Sequence, residues 1–277
     1  MSDAGTAAPD SAGTRESTPA PGTAAPGDLV HLDVAGGVAT VTLDSPANRN
    51  ALSAAMRVRL IQALDAATAD AAVRVVVLTH RGPVFCSGMD LKEEAAAGPG
   101  RQGVRELPAI LRRISRCPKP VLARVGGPAR AGGIGIMAAA DIVLAAPSAT
   151  FAFSEVRIGL IPAVISVPVL HRVAAAAARE LLLTGEVFGA ARAAEIGLVT
   201  AVREDLDEAV TEYLRALLAG GPAALAGTKA LLQSGLDDSD ERYAGLLAVS
   251  AAQFASDEAR EGALSFTQKR PAAWVDR

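Results

Sequence analysis

Gly82-Pro83-Val84-Phe85-Cys86-Ser87-Gly88-Met89-Asp90-Leu91 follows directly on the β-branched run Val73 to Thr79. A buried strand that breaks into a glycine-bearing turn of this kind presents backbone N–H groups into a crevice. A second turn of the same character, Gly126-Gly127-Pro128-Ala129-Arg130-Ala131-Gly132-Gly133, follows the strand expected over Val121 to Val125. It ends where a helix begins, and there the free N–H groups and the helix dipole favour negative charge. Facing each other, the two turns would form a cradle for an oxyanion. The plainer reading, that the glycines only let a helix pack closely on a strand, stays open for either turn alone.

Working outward, Leu29 to Val34 and Val38 to Leu43 flank Gly36-Gly37 and predict a β-hairpin. Ser53 is placed to cap a helix carrying Met56, Leu60, Ile61 and Leu64 on one side. A helix through Leu107, Ile110, Leu111 and Ile114 is stopped by Pro118 and Pro120. Gly132 to Ala140 is expected as an apolar helix, with Ile142 to Ala145 and Leu198 to Val202 as later strands. Beyond them the pattern is helical, around Leu206 to Leu218, Ala223 to Leu232 and Glu241 to Phe266. The class is therefore α/β, with a tail over 1–27, a core over 28–203 and a helical region over 204–277 that wraps the core or packs on another subunit.

Composition narrows the partners. Of 277 residues 50% are hydrophobic, 21% charged and only 3% aromatic, and the net charge is −3, so a basic face with stacking rings for nucleic acid is excluded. Residues 1–27 are rich in Ala, Pro, Gly, Ser and Thr and read as a disordered tail without the apolar stretch of a secretory signal. The runs Ile134 to Ala146 and Leu160 to Leu170 fall short of the roughly 18 apolar residues a membrane span needs. Cys86 and Cys117 stand alone, which suits reduced thiols in a cytoplasmic protein, and no metal-ligand spacing joins them to His31, His80 or His171.

Glu155 is the third departure from simple packing. In Phe151-Ala152-Phe153-Ser154-Glu155-Val156-Arg157-Ile158-Gly159-Leu160-Ile161-Pro162-Ala163 it is a lone carboxylate in an apolar run. Such a group is either paired or functional. If the segment is a strand, Glu155 and Arg157 share a face and form an ion pair; otherwise the acid is free for proton transfer.

These residues carry a resemblance. Asn50-Ala51-Leu52-Ser53, Phe85 to Lys92, Lys119-Pro120-Val121, Ala131-Gly132-Gly133, Leu183-Thr184-Gly185 and Ala194 to Val199 occur in the order and spacing of the crotonase (enoyl-CoA hydratase/isomerase) superfamily. The similarity runs from about Leu29 to Pro271. It implies a ClpP/crotonase-like spiral of ββα units followed by a helical trimerisation region, assembled as a homotrimer or a dimer of trimers. It also implies an acyl-CoA thioester substrate with no separate cofactor, its carbonyl held by the N–H groups of Met89 and Gly132. By the same resemblance Glu155 is the acid/base, and Ser87, Gly88, Asp90, Lys92, Arg49, Gly133, Gly135, Pro162 and Lys269 fall at substrate-binding positions. Of these, Lys269 would act from a neighbouring subunit, and Asp90 also suits a helix cap.

Hydratases of this superfamily hold the attacking water between two glutamates. Glu155 matches one, but the other position is Gly135. Similarity of Ser154 to Ser166 to 3-methylglutaconyl-CoA hydratases, which carry glycine there too, points to hydration of a 2-enoyl-CoA with a branched or carboxylated chain. Two other readings stay open: a Δ3,Δ2-enoyl-CoA isomerase using Glu155 alone, and a catalytically silent acyl-CoA-binding paralogue. Another acid, such as Glu106 or Asp90, could also enter the pocket. Gly133-x-Gly135-x-x-Ala138 imitates a dinucleotide fingerprint, but it follows a different set of glycine turns late in the chain.

Overall fold

The computed structural model describes residue 1 and residues 28–97, 103–234 and 240–275, so all of the expected tail except Met1 lies outside the described residues. Strands β1 (Val30–Ala35) and β2 (Val38–Leu43) form the expected hairpin. Its two turn residues, Gly36 and Gly37, have φ of +55° and +77°, the left-handed backbone a two-residue turn requires. Helix α1 (Ala54–Ala69) is capped by Ser53, whose Oγ accepts the Met56 N–H at 3.3 Å, and buries Met56, Leu60 and Leu64. β3 (Val75–His80) runs parallel to β2.

Between β3 and the next strand lie α2 (Leu91–Ala97) and α3 (Leu107–Ser115). Then come β4 (Val121–Val125), β5 (Ala129–Arg130) and α4 (Gly132–Ala139). The order repeats as β6 (Ile142–Ala145), β7 (Thr150–Ala152) and α5 (Ala163–Leu170), so the chain makes successive ββα turns. α6 (Ala175–Thr184), β8 (Phe188–Gly189), α7 (Ala190–Glu195) and β9 (Ala201–Val202) follow. Of the strand expected over Leu198 to Val202, only the last two residues pair. Four helices close the chain: α8 (Leu206–Ala219), α9 (Pro222–Gln233), α10 (Asp240–Phe254) and α11 (Asp257–Gln268).

The first strand of each ββα turn joins a six-stranded sheet ordered β1-β2-β3-β4-β6-β9, parallel except for the hairpin. The second strand joins a small sheet ordered β5-β7-β8. One face of the large sheet packs on α1, α3 and α4 through Leu60, Ile110, Ile114 and Met137, all fully buried. Each such side chain contributes about 1.5–3 kcal/mol. On the other face Leu206 and Ala209 of α8 cover Val77, Leu122 and Leu144.

The terminal helices thus begin by wrapping their own core. Lys229 of α9, nearly fully buried, places Nζ 2.7 Å from Asp141 Oδ2 at the start of β6. Burial pushes the Asp141 carboxyl up and the lysine pulls it back down. α10 and α11, by contrast, leave Leu247, Phe254 and Phe266 exposed.

Candidate active site

The two glycine turns meet because hydrogen bonds zip them together. Phe85 N–H donates to Pro128 O and Arg130 N–H to Cys86 O, each at 3.0 Å, so the first turn extends the small sheet beside β5. The approach is too close for side chains: a methyl on Gly127 would sit 2.1 Å from Pro83 O, and one on Gly133 2.4 Å from Cys86 O. Close packing, the plainer reading of the glycines, therefore holds, and it is what brings the two turns side by side. Gly88, at φ +91°, and Gly132 adjoin; a methyl on Gly88 would lie 3.4 Å from Gly132 N. Among the described residues neither the Met89 N–H nor the Gly132 N–H donates to a backbone carbonyl.

Three braces hold this geometry. Asn50, fully buried, donates from Nδ2 to Arg81 O and Val84 O at 3.0 and 2.7 Å, while its Oδ1 accepts Ser45 N–H at 2.6 Å. Leu52 N–H donates to Gly88 O at 2.8 Å. His80, at the end of β3, accepts the Gly126 N–H at Nε2 (3.0 Å) and meets Phe85 edge-on. Burial, reinforced by Arg124, lowers the His80 pKa, which favours the neutral ring that can accept. His80 read as an isolated histidine in the sequence; only its place at a strand end gives it this role. Strain is concentrated at Ala131, whose φ of +47° and ψ of −120° set the start of α4.

Glu155 faces the same space. The segment Ser154–Ile158 is a 3-10 turn, which corrects the strand alternative: Glu155 and Arg157 do not share a face and form no ion pair. Arg157 packs instead beside Gly185. Glu155 Oε2 is buried without a hydrogen-bond partner, and burial holds its carboxyl above the ordinary value of 4.5, its own backbone N–H pulling the other way.

A cavity of about 660 Å³ joins the cradle to this acid, with Ser87, Met89, Gly132, Glu155 and Pro162 in its wall. The remaining wall comes from α2, Val104, Leu107, Ala131, Ser154 and the stretch from Ile158 to Ile165, and is apolar except for Glu94 and Ser154. The other charged candidate positions do not line the cavity. Asp90 caps α2, accepting the Lys92 and Glu93 N–H groups at 3.1 and 3.3 Å, and the Asn48 amide holds its carboxyl below the usual range. Arg49 O accepts the Ser87 N–H at 3.1 Å, and Lys92 is exposed on α2. Lys269 ends α11 in a left-handed cap and is not in the cavity wall of its own chain.

Two of the expected positions need correction. Gly133 and Gly135 do not line the cavity: Gly133 lies against Cys86, and a methyl on Gly135 would come within 2.6 Å of Ile165 Cγ2. α4 and α5 pack so closely there that Ile165 fills the place where a second carboxylate would start. Glu106 is likewise turned away, its Oε2 accepting Arg57 Nε–H at 2.9 Å. Cys86 is buried with its thiol pushed up to about 12, an inert packing residue. The acid that does enter the wall is Glu94, which no motif marked.

A second groove of about 600 Å³, by Arg124, Glu204 and Asp207, is open and polar, and its Arg124 and Asp207 are paired to each other at 2.8 Å. Among the described residues no cluster of three or more His, Cys, Asp or Glu could hold a metal ion, and no helix is long and apolar enough to cross a membrane.

Known proteins share this arrangement. Residues 33–277 match the family described as Enoyl-CoA hydratase/isomerase. A Rhodobacter capsulatus protein described as "Probable enoyl-CoA hydratase" is 39% identical over 90% of this chain and 98% of its own length. The mitochondrial methylglutaconyl-CoA hydratase of Rattus norvegicus is 31% identical over 85% of this chain and 78% of its own. The crystal structure of an enoyl-CoA hydratase from Shewanella pealeana superposes with a TM-score of 0.84 at 30% identity, covering 89% of this chain and 96% of that one. The ββα spiral is thus the crotonase fold, and the protein is an enzyme of the enoyl-CoA hydratase class. With the match spanning both turns, Glu155 and the terminal helices, the chain belongs to the enoyl-CoA hydratase/isomerase family of the crotonase superfamily.

Proposed function

We propose that the protein adds water to a 2-enoyl-CoA thioester, with the Met89 and Gly132 N–H groups holding the thioester oxygen and Glu155 moving the proton. The observation that carries this reading is the pair of adjoining turns with unspent donors, sharing one cavity with an unpartnered carboxylate oxygen. Water attacks C3, the π electrons move to the thioester oxygen, and the cradle stabilises that enolate where its charge develops. Glu155 takes the proton from the water and returns one to C2, so the carboxylate is regenerated. In this reading the CoA nucleotide extends from Ser87 in the cavity wall toward Arg49 and Lys92, with Lys269 reaching in from a neighbouring copy. Assembly as a trimer or a dimer of trimers is part of this reading, supported by Phe254 and Phe266, which are 80% and 87% exposed in the single chain. So is a reducing, cytoplasmic setting for the two free, buried thiols.

Ile165 in place of a second carboxylate favours one alternative, Δ3,Δ2 isomerisation, which needs a single acid to carry one proton between C4 and C2. Mass spectrometry of crotonyl-CoA, 3-methylglutaconyl-CoA and a 3-enoyl-CoA after incubation with the protein separates the two. Gain of one water on a 2-enoyl ester is the expected result. Isomerised 3-enoyl-CoA with no hydration of either 2-enoyl ester would replace hydration by isomerisation, and no change with any ester would leave an acyl-CoA-binding protein.

A further inference from the structure

Resting on the hydratase reading, we infer that Glu94 is a specificity-determining residue: it makes the acyl wall of the cavity anionic and restricts the substrate to uncharged, apolar acyl chains. Apart from Glu94, Ser154 and Glu155, the rest of the wall outside the two turns is built from Leu, Ile, Val, Pro and Ala side chains, which suit a hydrocarbon chain. Among the described residues that line it there is no Lys, Arg or His. Glu94 is the charge placed there, its side chain only 15% exposed.

Its surroundings keep the carboxylate fixed and leave its charge incompletely neutralised. Glu94 Oε1 accepts the Gly103 N–H at 3.0 Å. The one buried cation beside it, Arg57, is shared among three acids: Glu106 at 2.9 Å, Glu94 at 3.6 Å and Glu93 at 3.9 Å. Arg57 also donates to Leu52 O at 2.6 Å, so its guanidinium is spent inside the protein and does not line the cavity. Three carboxylates share one guanidinium, so Arg57 only partly offsets the charge that Glu94 brings to the wall. A dicarboxylic acyl chain would bring a second anion against Glu94 with no cation among the described lining residues to meet it, an arrangement that selects against it. Of the two chain types compatible with the sequence, branched and carboxylated, the wall favours the branched, uncharged one.

The test uses saturated esters that bind without reacting. Calorimetry on the full-length protein compares valeryl-CoA with glutaryl-CoA, and hexanoyl-CoA with adipyl-CoA, each pair matched in length and differing in a terminal methyl or carboxylate. In the wild type the carboxylated member of at least one pair is expected to bind at least about tenfold more weakly. In Glu94→Gln, which keeps an acceptor for the Gly103 N–H, and in Glu94→Ala most of that gap closes, while affinity for the uncharged ester is retained. Equal affinities within both pairs in the wild type would overturn the inference, as would a gap that persists unchanged in either folded variant. Because the esters are unreactive, a hydratase that fails to discriminate is distinguished from a discriminating protein that hydrates nothing. If no ester of any kind binds, both readings fall together.

Discussion

Two parts of the cavity wall differ in make: one carries the main-chain N–H groups of Met89 and Gly132, and the other consists of side chains of α2, the 154–158 turn and α5. The donors of Met89 and Gly132 are set by strand register, the Cys86–Ala129 bridge and the Asn50 brace, with Asn50, Phe85, Cys86 and Ala129 fully buried. The acyl wall is looser, and Ile158, Leu160 and Ile161 on it are half or more exposed. The difference shows how the fold divides its work. Stabilising an oxyanion demands donors placed to within a fraction of an ångström, which a hydrogen-bonded backbone supplies. Choosing an acyl chain demands only shape and charge, which side chains on peripheral elements can change without disturbing the donors.

Removing a group from each side should separate the roles. Glu155→Gln preserves shape and removes the proton carrier, so kcat is expected to fall by about 10²–10⁴-fold in a steady-state assay. Affinity for a saturated acyl-CoA should change little. Undiminished turnover would show that another group moves the proton. Gly132→Pro deletes one donor at the first position of α4, where proline is tolerated by the helix, and is expected to lower kcat by about 10²–10³-fold. Circular dichroism and ester binding distinguish a lost donor from a lost fold.

The next contrast is between the two helices that meet behind the site. Gly135→Ala pushes a methyl into Ile165 and should destabilise the protein by about 1–3 kcal/mol in urea denaturation. Adding Ile165→Ala, which removes the Cγ2 methyl that meets it, should cost less in the double variant than the sum of the two single changes; strict additivity would mean the contact is not the cause. The subtlest effect is electrostatic. Burial raises the folded-state pKa of Glu155, so folding disfavours its ionised form relative to the unfolded chain. Below the unfolded value, near 4.5, both states are protonated and Glu155 imposes no penalty. As pH rises from there through the raised folded value, wild-type stability should fall relative to Glu155→Gln, and the variant should have the higher Tm at neutral pH. A Tm difference independent of pH would contradict that sign.

Much of the main architecture was legible in local sequence. The Gly36-Gly37 turn, the Ser53 cap and the apolar spacing of α1 and α3 are short-range signals, because turn φ values, caps and helical periodicity depend on near neighbours. The two glycine turns were also readable, since glycines in that pattern point to backbone approach. The very short strands β5, β7 and β8 were not, because strands of two or three residues carry no periodicity and exist only through their partners. The 3-10 geometry at Glu155 went unread for the same reason.

By itself, then, the chain determined the hairpin, the main strands and helices around them, the positions of the two turns and a lone acid in an apolar run. Tertiary structure alone decided that Gly133 and Gly135 serve packing, that Ile165 stands where a second carboxylate would begin, that His80 braces the second turn and that Glu94 reaches the acyl wall. The physical reason is that a side chain's chemistry follows from what it meets. For these residues the partners lie tens of positions away or come from another helix, and no local pattern encodes such a meeting.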